Sequence, residues 1–193
     1  MQKEYQNLIN KITQHIAISE TDIEEIIHAF TCITVPKNTI LEAEEKKTKN
    51  LYYINEGFIR LFNIENAEER TTHINCPSGF ITNFQSFITS GISTSNLQTI
   101  SDCKLLSISK DKLDLLNQKV KDWSIFGEKI YEEAVIYNES RTRDMILLSA
   151  EERYIKLLKD RPEIIQNVPL QYIASYIGIK PESLSRIRRN IIS

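Results

Sequence analysis

Within eight residues near the C-terminal end, Glu182, Ser183, Ser185, Arg186, Arg188 and Arg189 gather one carboxylate, two hydroxyls and three guanidiniums. That mixture of acceptors and fixed donors suits the base edges and phosphates of a nucleic acid. The surrounding apolar residues say how the group is carried. The segment QYIASYIG (171–178), then IK, then PESLSRIRRNI predicts two short helices joined by a tight turn. Pro169 suits a first helical position, where a missing N–H is no loss. Ile173, Ala174 and Ile177 form the inward face of the first helix, and Ala174 is small where two crossed helices approach. Gly178 stands where the chain must turn with positive φ. Ile179 plugs the turn, Pro181 opens the second helix, and Leu184 and Ile187 face back toward the first. This is the layout of a DNA-reading helix-turn-helix whose second helix is available for a major groove. The competing reading is an ordinary helical hairpin with solvated arginines.

Charge favours the first reading. The chain is formally −2, but residues 150–193 carry eight Lys/Arg against five Asp/Glu, and residues 1–149 carry sixteen against twenty-one. A basic end on an acidic body fits phosphate contact at one end only. Hydrophobic content of 41% and charged content of 26% exclude a disordered chain. No apolar run reaches the length of a membrane span, and the start MQKEYQNLINKI lacks the order of a signal peptide. Cys32, Cys76 and Cys103 are far apart and odd in number, so reduced, partly buried thiols in a cytoplasmic protein are expected. There is no nucleophile with a base and an orienting partner, no metal-ligand spacing and no Gly-rich phosphate loop. The glutamates at 42, 44, 45, 68 and 69 read as solvated turns. An enzyme is therefore not expected.

Residues 4–18 read as a helix with Tyr5, Leu8, Ile12 and Ile16 on one face, and Ser19 with Asp22 caps a second that runs to Pro36. The period then changes. Leu51–Ile54, a turn at Gly57, and Phe58–Phe62 read as strand, turn, strand, with a polar hairpin tip at 65–69 and a strand from Arg70 to Ile74. Further short strands follow at 80–81, 96–100 and 104–108, the pattern of a small barrel or jelly roll. Helix resumes at Ser109, and a long helix spans about 119–148 with Val120, Trp123, Phe126, Ile130, Ala134 and Tyr137 as its stripe. That stripe fits the chain's own barrel or a partner's identical helix equally well. A hinge is expected at Arg141–Asp144, another helix over 150–159, and a break at Arg161-Pro162.

This order of helical lead, β-roll, long helix and helix-turn-helix resembles the Crp/Fnr family of bacterial transcription regulators, along nearly the whole chain. Tyr53 to Leu61 is similar to the family's strand–Glu–Gly–strand signature, and Ile173 to Arg189 to its reading motif. The resemblance implies an α+β fold in three parts. Residues 1–118 would form a cyclic-nucleotide-binding-like double-stranded β-helix of cupin-like jelly-roll type. Residues 119–148 would form the dimerisation helix and hinge, and 149–193 the DNA-binding domain. It implies a homodimer on a palindromic double-stranded operator, with RNA polymerase as a further partner and no membrane. Glu182 and Arg186 fall where the family meets cytosine and guanine; a carboxylate accepts from cytosine N4 and a guanidinium donates twice to guanine. With them, Ser183 is expected at base edges, while Gln171, Lys180, Arg188 and Arg189 would serve phosphates and Ser185 lies on the same face.

The chain departs from the family in its effector pocket. Thr82-Asn83 stands where family members that bind cyclic nucleotides have a Gly-Glu pair for the ribose, and Ser93-Thr94 where they have Arg-Ser for the phosphate. No Lys or Arg occurs from Thr71 to Cys103. A pocket of Thr82, Asn83, Phe84, Ser93, Thr94 and Ser95 offers hydrogen bonds without countercharge. Cyclic AMP is therefore not expected to bind, no cofactor is evident, and the effector is unknown or absent. No cysteine lies in residues 1–31 for an iron–sulfur cluster, and His73, the one β-roll histidine, carries little weight as a haem ligand. Between the helix ending near Asp160 and Pro169 there are only about eight residues, so the family's hairpin wing would be shortened or lost. Lys180 and Pro181 replace its common Ser/Thr cap and arginine, so fewer phosphate contacts are expected there. The alternative function is an effector-binding or protein-interaction module whose helix-turn-helix no longer meets DNA.

Overall fold

The computed structural model describes residues 3–192. A 3₁₀ turn leads into α1 (Gln6–Thr13), shorter than the helix expected over 4–18. The α2 helix (Glu20–Ala29) begins in the expected capping box, in which Ser19 and Asp22 each satisfy the other's backbone N–H. It ends before Phe30 rather than running to Pro36, because the β-branched residues that follow form β1 (Thr31–Val35). Next come β2 (Ile40–Glu42), β3 (Asn50–Glu56), β4 (Ile59–Glu65), β5 (Glu68–Asn75), β6 (Phe80–Ile81), α3 (Phe84–Thr89), β7 (Asn96–Thr99) and β8 (Cys103–Ser109).

The strands form two four-stranded sheets, in the orders β1-β8-β3-β6 and β2-β7-β4-β5, with every pairing antiparallel. That is the strand order of a jelly roll. Between the sheets lie Ile54, Ile59, Leu97 and Leu105, all essentially without solvent contact. Gly57 turns β3 into β4 at φ +95°, and a Cβ there would stand 2.4 Å from the Asp102 carbonyl. At the hairpin tip Asn66 and Ala67 both take positive φ, as a two-residue turn between twisted strands requires.

Ser109 caps α4 (Lys110–Lys119), and Asp122 at φ +61° separates it from α5 (Trp123–Leu147). Trp123, Phe126 and Ile130 are buried with Phe30, Leu51 and Phe80, so the upper part of the expected stripe packs on the chain's own β-roll. Each such side chain contributes about 1.5–3 kcal/mol. No break occurs at Arg141–Asp144: α5 runs through them to Leu147, and the chain leaves the helix at Leu148. A run of polar residues on an exposed helix face resembles a linker in composition but retains its backbone bonds. The opposite face of α5 exposes Ile125, Ile136 and Leu147 at eleven-residue steps, with Val135 and Ile146 beside them.

The C-terminal unit comprises α6 (Ala150–Asp160), α7 (Pro162–Asn167), α8 (Leu170–Tyr176) and α9 (Pro181–Ile192). A short helix, not a hairpin, occupies the stretch after Arg161, with Pro162 at its first turn. Its core of Tyr154, Leu157, Ile164, Ile173, Ala174, Ile177 and Leu184 is continuous with Phe58, Ile74 and Ile100 of the β-roll. No described helix is long and apolar enough to cross a membrane.

Candidate nucleic-acid interface and effector cavity

The turn between α8 and α9 closes in a Schellman motif. The N–H of Gly178 donates to Ser175 O at 3.1 Å, and that of Ile179 to Ala174 O at 2.9 Å. Gly178 has φ +79°. Pro169 stands one position earlier than expected, as the N-cap of α8 rather than its first residue. Leu184 is fully buried and Ile187 partly so, which leaves Glu182, Ser183, Ser185, Arg186 and Arg189 exposed and Arg188 half-buried. Gln171 and Lys180 are also exposed, but Lys180 Nζ is held 2.6 Å from Glu68 at the tip of the β4–β5 hairpin.

That hairpin is the seat of the C-terminal unit. Ser175 Oγ accepts from the Thr71 N–H at 2.8 Å and donates to Glu69 O at 3.2 Å. Beside it Arg60 is 1% exposed, its guanidinium sandwiched between Phe62 at 4.0 Å and Tyr172 of α8 at 3.8 Å. Its nitrogens donate to Gln98 at 2.9 and 2.6 Å and to Glu69 at 2.5 Å. Below, Arg141 of α5 lies 3.8 Å over the Tyr176 ring, and the Tyr137 and Tyr176 hydroxyls share a 2.7 Å hydrogen bond. Sequence reading missed Arg60: a lone cation in an apolar strand gives no clue that a tyrosine more than a hundred residues away will cover it.

Not every glutamate of the sequence reading is a solvated turn. Glu42 is buried in β2, accepting from the Asn50 N–H at 3.2 Å and the Tyr52 hydroxyl at 3.0 Å. Burial and the neighbouring Glu42 carboxylate push the Tyr52 hydroxyl well above its ordinary pKa.

A cavity of about 760 Å³ opens between the β-roll, α3 and the middle of α5. Thr82, Asn83, Phe84, Thr94 and Ser95 are among the residues that line it, and Ser93 is not. The polar side chains there are largely engaged with one another. Asn83 caps α3 by accepting from the Ser86 N–H at 3.2 Å and donates to Ser93 Oγ at 2.9 Å. Ser93 Oγ donates to Ser95 O at 2.6 Å and accepts from the Ser95 N–H at 3.2 Å, while Thr82 Oγ1 donates to Asn50 O at 2.8 Å. These residues build the loop as much as they face the cavity.

At the other end, next to the C-terminal unit, the lining is His73, Cys76, Tyr137, Asn138 and Arg161. Both ring nitrogens of His73 are engaged, Nδ1 with Thr72 at 3.2 Å and Nε2 with Asn138 at 2.7 Å. Burial lowers its pKa, the Asn138 bond opposing and Arg141 adding to the shift. Arg161 donates to Cys76 Sγ at 2.8 Å and to Glu163 Oε1 at 2.9 Å, and the Cys76 thiol donates to the same carboxylate at 3.2 Å. Burial alone would raise the Glu163 carboxyl; these donors outweigh it and hold it below the usual range. All three cysteines are free, with Cys32 exposed rather than partly buried. Among the described residues no cluster of His, Cys, Asp and Glu could hold a metal ion.

Comparison with known proteins bears on this geometry. The cyclic nucleotide-binding domain family matches residues 32–119. The c-di-GMP-responsive global regulator CLP of Xanthomonas campestris has a similar structure, with TM-score 0.67 and 19% identity over 90% of this chain and 91% of that one. FixK2 of Bradyrhizobium japonicum gives TM-score 0.73 at 12% identity over 84% of each chain. A Crp/Fnr-family protein of Eubacterium rectale gives 0.68 at 15% identity over 90% of this chain and 83% of that one. By fold, the chain is Crp/Fnr-like. No curated protein matches it in sequence. In this Crp/Fnr-like chain, the loop at Ser93–Ser95 carries no cation and is hydrogen-bonded within itself.

Proposed function

We propose that this chain is a sequence-specific, DNA-binding transcriptional regulator of the Crp/Fnr type that acts as a homodimer, with an effector other than cyclic AMP or none. The observation that carries this reading is the polar face of α9, turned to solvent by a Schellman turn and anchored from behind by Leu184. Arg186, Glu182 and Ser183 would meet base edges. Arg188, Arg189, Gln171 and Lys180 would bind phosphates, and Ser185 sits between the two groups.

The unpartnered apolar face of α5 supports pairing with a second copy. Ile136 and Leu147 are 67% and 71% exposed. Two dyad-related α9 helices would then enter successive major grooves, about 34–36 Å apart. The C-terminal unit begins where α5 ends, at Leu148–Ser149, so a shift in the helix pair would move it directly. RNA polymerase is the expected further partner, and the cytoplasm the expected location.

Selection of binding sites from random duplex DNA, with protein alone and with cell extract, tests the reading and its need for an effector together. A palindromic consensus is the expected result. No duplex binding at low salt, with or without extract, overturns it. One bidentate arginine–guanine pair is worth about 1–3 kcal/mol of discrimination, so Arg186→Ala should relax one position of each half-site.

A further inference from the structure

The cavity of the β-roll has two ends of opposite character. At the Thr82–Ser95 end the hydroxyls and amides are largely engaged with one another and there is no positive charge. At the end facing α6 and α7 a guanidinium reaches in from outside the β-roll. Arg161 uses Nε for Glu163 and Nη2 for Cys76, and Nη1 has no hydrogen-bond partner among the described residues. Its side chain is 30% exposed, and it is the one Lys or Arg in the cavity lining. The one carboxylate in that lining, Glu133, is already matched by Lys11 at 3.0 Å. Glu163, the ion-pair partner of the guanidinium at 2.9 Å, is not among the residues lining the cavity. Arg161 thus brings a nitrogen with two unclaimed N–H donors to the wall of this cavity, which it shares with a smaller one lined by Arg141, Arg153 and Lys156. Phe84 and Tyr137 offer ring surface for an uncharged body.

We propose that this cavity binds a small anionic molecule whose carboxylate or phosphate pairs with Arg161, at the junction of the β-roll and the C-terminal unit, and not with the loop at Ser93–Ser95. A guanidinium suits either anion because its planar donors match two oxygens at once. Arg161 joins α6 to α7, so an anion held there ties the C-terminal unit to the β-roll through the ligand itself. Any effect of that tie on DNA binding rests on the regulator reading; the anion site does not.

The test uses the full chain and no DNA. Cys76 lies beside the guanidinium, so an anion at Nη1 both screens the thiol from reagent and disfavours its thiolate. Alkylation of Cys76 and of exposed Cys32 by iodoacetamide is followed by peptide mass spectrometry, in inorganic phosphate, in benzoate, and in sodium chloride at matched ionic strength. The expected result is slowing of Cys76 by about threefold or more as either anion passes saturation, with Cys32 unchanged. Protection by phosphate alone assigns a phosphate-bearing ligand; protection by benzoate alone assigns a carboxylate. The Arg161→Gln variant should lose the protection, Arg161→Lys should keep part of it, and Thr94→Ala should keep all of it. Equal rates in all three salts overturn the proposal, as does protection that persists in Arg161→Gln. A protein that passes this test yet binds no duplex retains the anion site and loses the regulator reading.

Discussion

Arg60 and His73 are single side chains whose surroundings set measurable energies. Arg60 has an aromatic ring on each face and acceptors along its edge, so its positive charge is nearly water-free and fully compensated. A desolvated cation–π contact is worth about 2 kcal/mol. In a double-mutant cycle of Arg60→Met and Tyr172→Leu, urea denaturation should return a coupling of about 1–2 kcal/mol between strand β4 and helix α8. A coupling near zero would mean that the stack holds nothing together. His73 is buried in a place that favours the neutral ring, so its folded pKa lies below its unfolded value of about 6.5. The unfolded chain then binds more protons, and stability is lost as pH falls from about 6.5 through the depressed folded value. Denaturation midpoints across that window should decline in the native protein and flatten in His73→Gln.

At the scale of elements, the two positive-φ glycines invite a comparison. Gly57 and Gly178 both take conformations that L residues resist, at about 1–3 kcal/mol. A Cβ at Gly57 would also meet the fixed Asp102 carbonyl and Cys103 Sγ, whereas at Gly178 it would meet the movable end of Met145 at 2.8 Å. Gly57→Ala should therefore lower stability clearly more than Gly178→Ala, as read by urea midpoints. Both turns were legible in the sequence, as were the capping box at Ser19 and the return to helix at Ser109. Strands β1 and β2 were not: their pairings, Cys32 with Leu106 and Ile40 with Gln98, join segments separated by a long stretch of chain, and neither strand alternates cleanly. Arg161 read only as part of a helix break for the same reason, since only folding brings it to Cys76 and the cavity. The tether between Lys180 and Glu68 belongs to this scale too. Glu68 is on the surface, so Glu68→Ala should leave the denaturation midpoint unchanged. On the proposed reading it frees Lys180 and tightens duplex binding by no more than about fivefold in low salt.

For the whole molecule, the uncovered side of α5 matters most. On the homodimer reading, Ile136→Glu places a carboxylate twice in one symmetric contact. With about 1.5–3 kcal/mol lost per apolar side chain, the dimer dissociation constant should rise about a hundredfold or more, visible as a monomer in sedimentation velocity. The C-terminal unit, by contrast, is seated within its own protomer by an apolar core shared with Phe58, Ile74 and Ile100 and by guanidinium contacts: Arg60 on Tyr172, Arg141 on Tyr176 and Arg161 on Cys76. Arginine keeps its charge at every pH a cell meets, and contacts sheltered from solvent are screened little by electrolyte. Contacts to DNA phosphates weaken steeply as electrolyte rises. On the proposed reading, brine strong enough to strip the protein from an operator should thus leave its two halves locked in the same mutual orientation, so that what is washed away is the grip and not the shape of the hand.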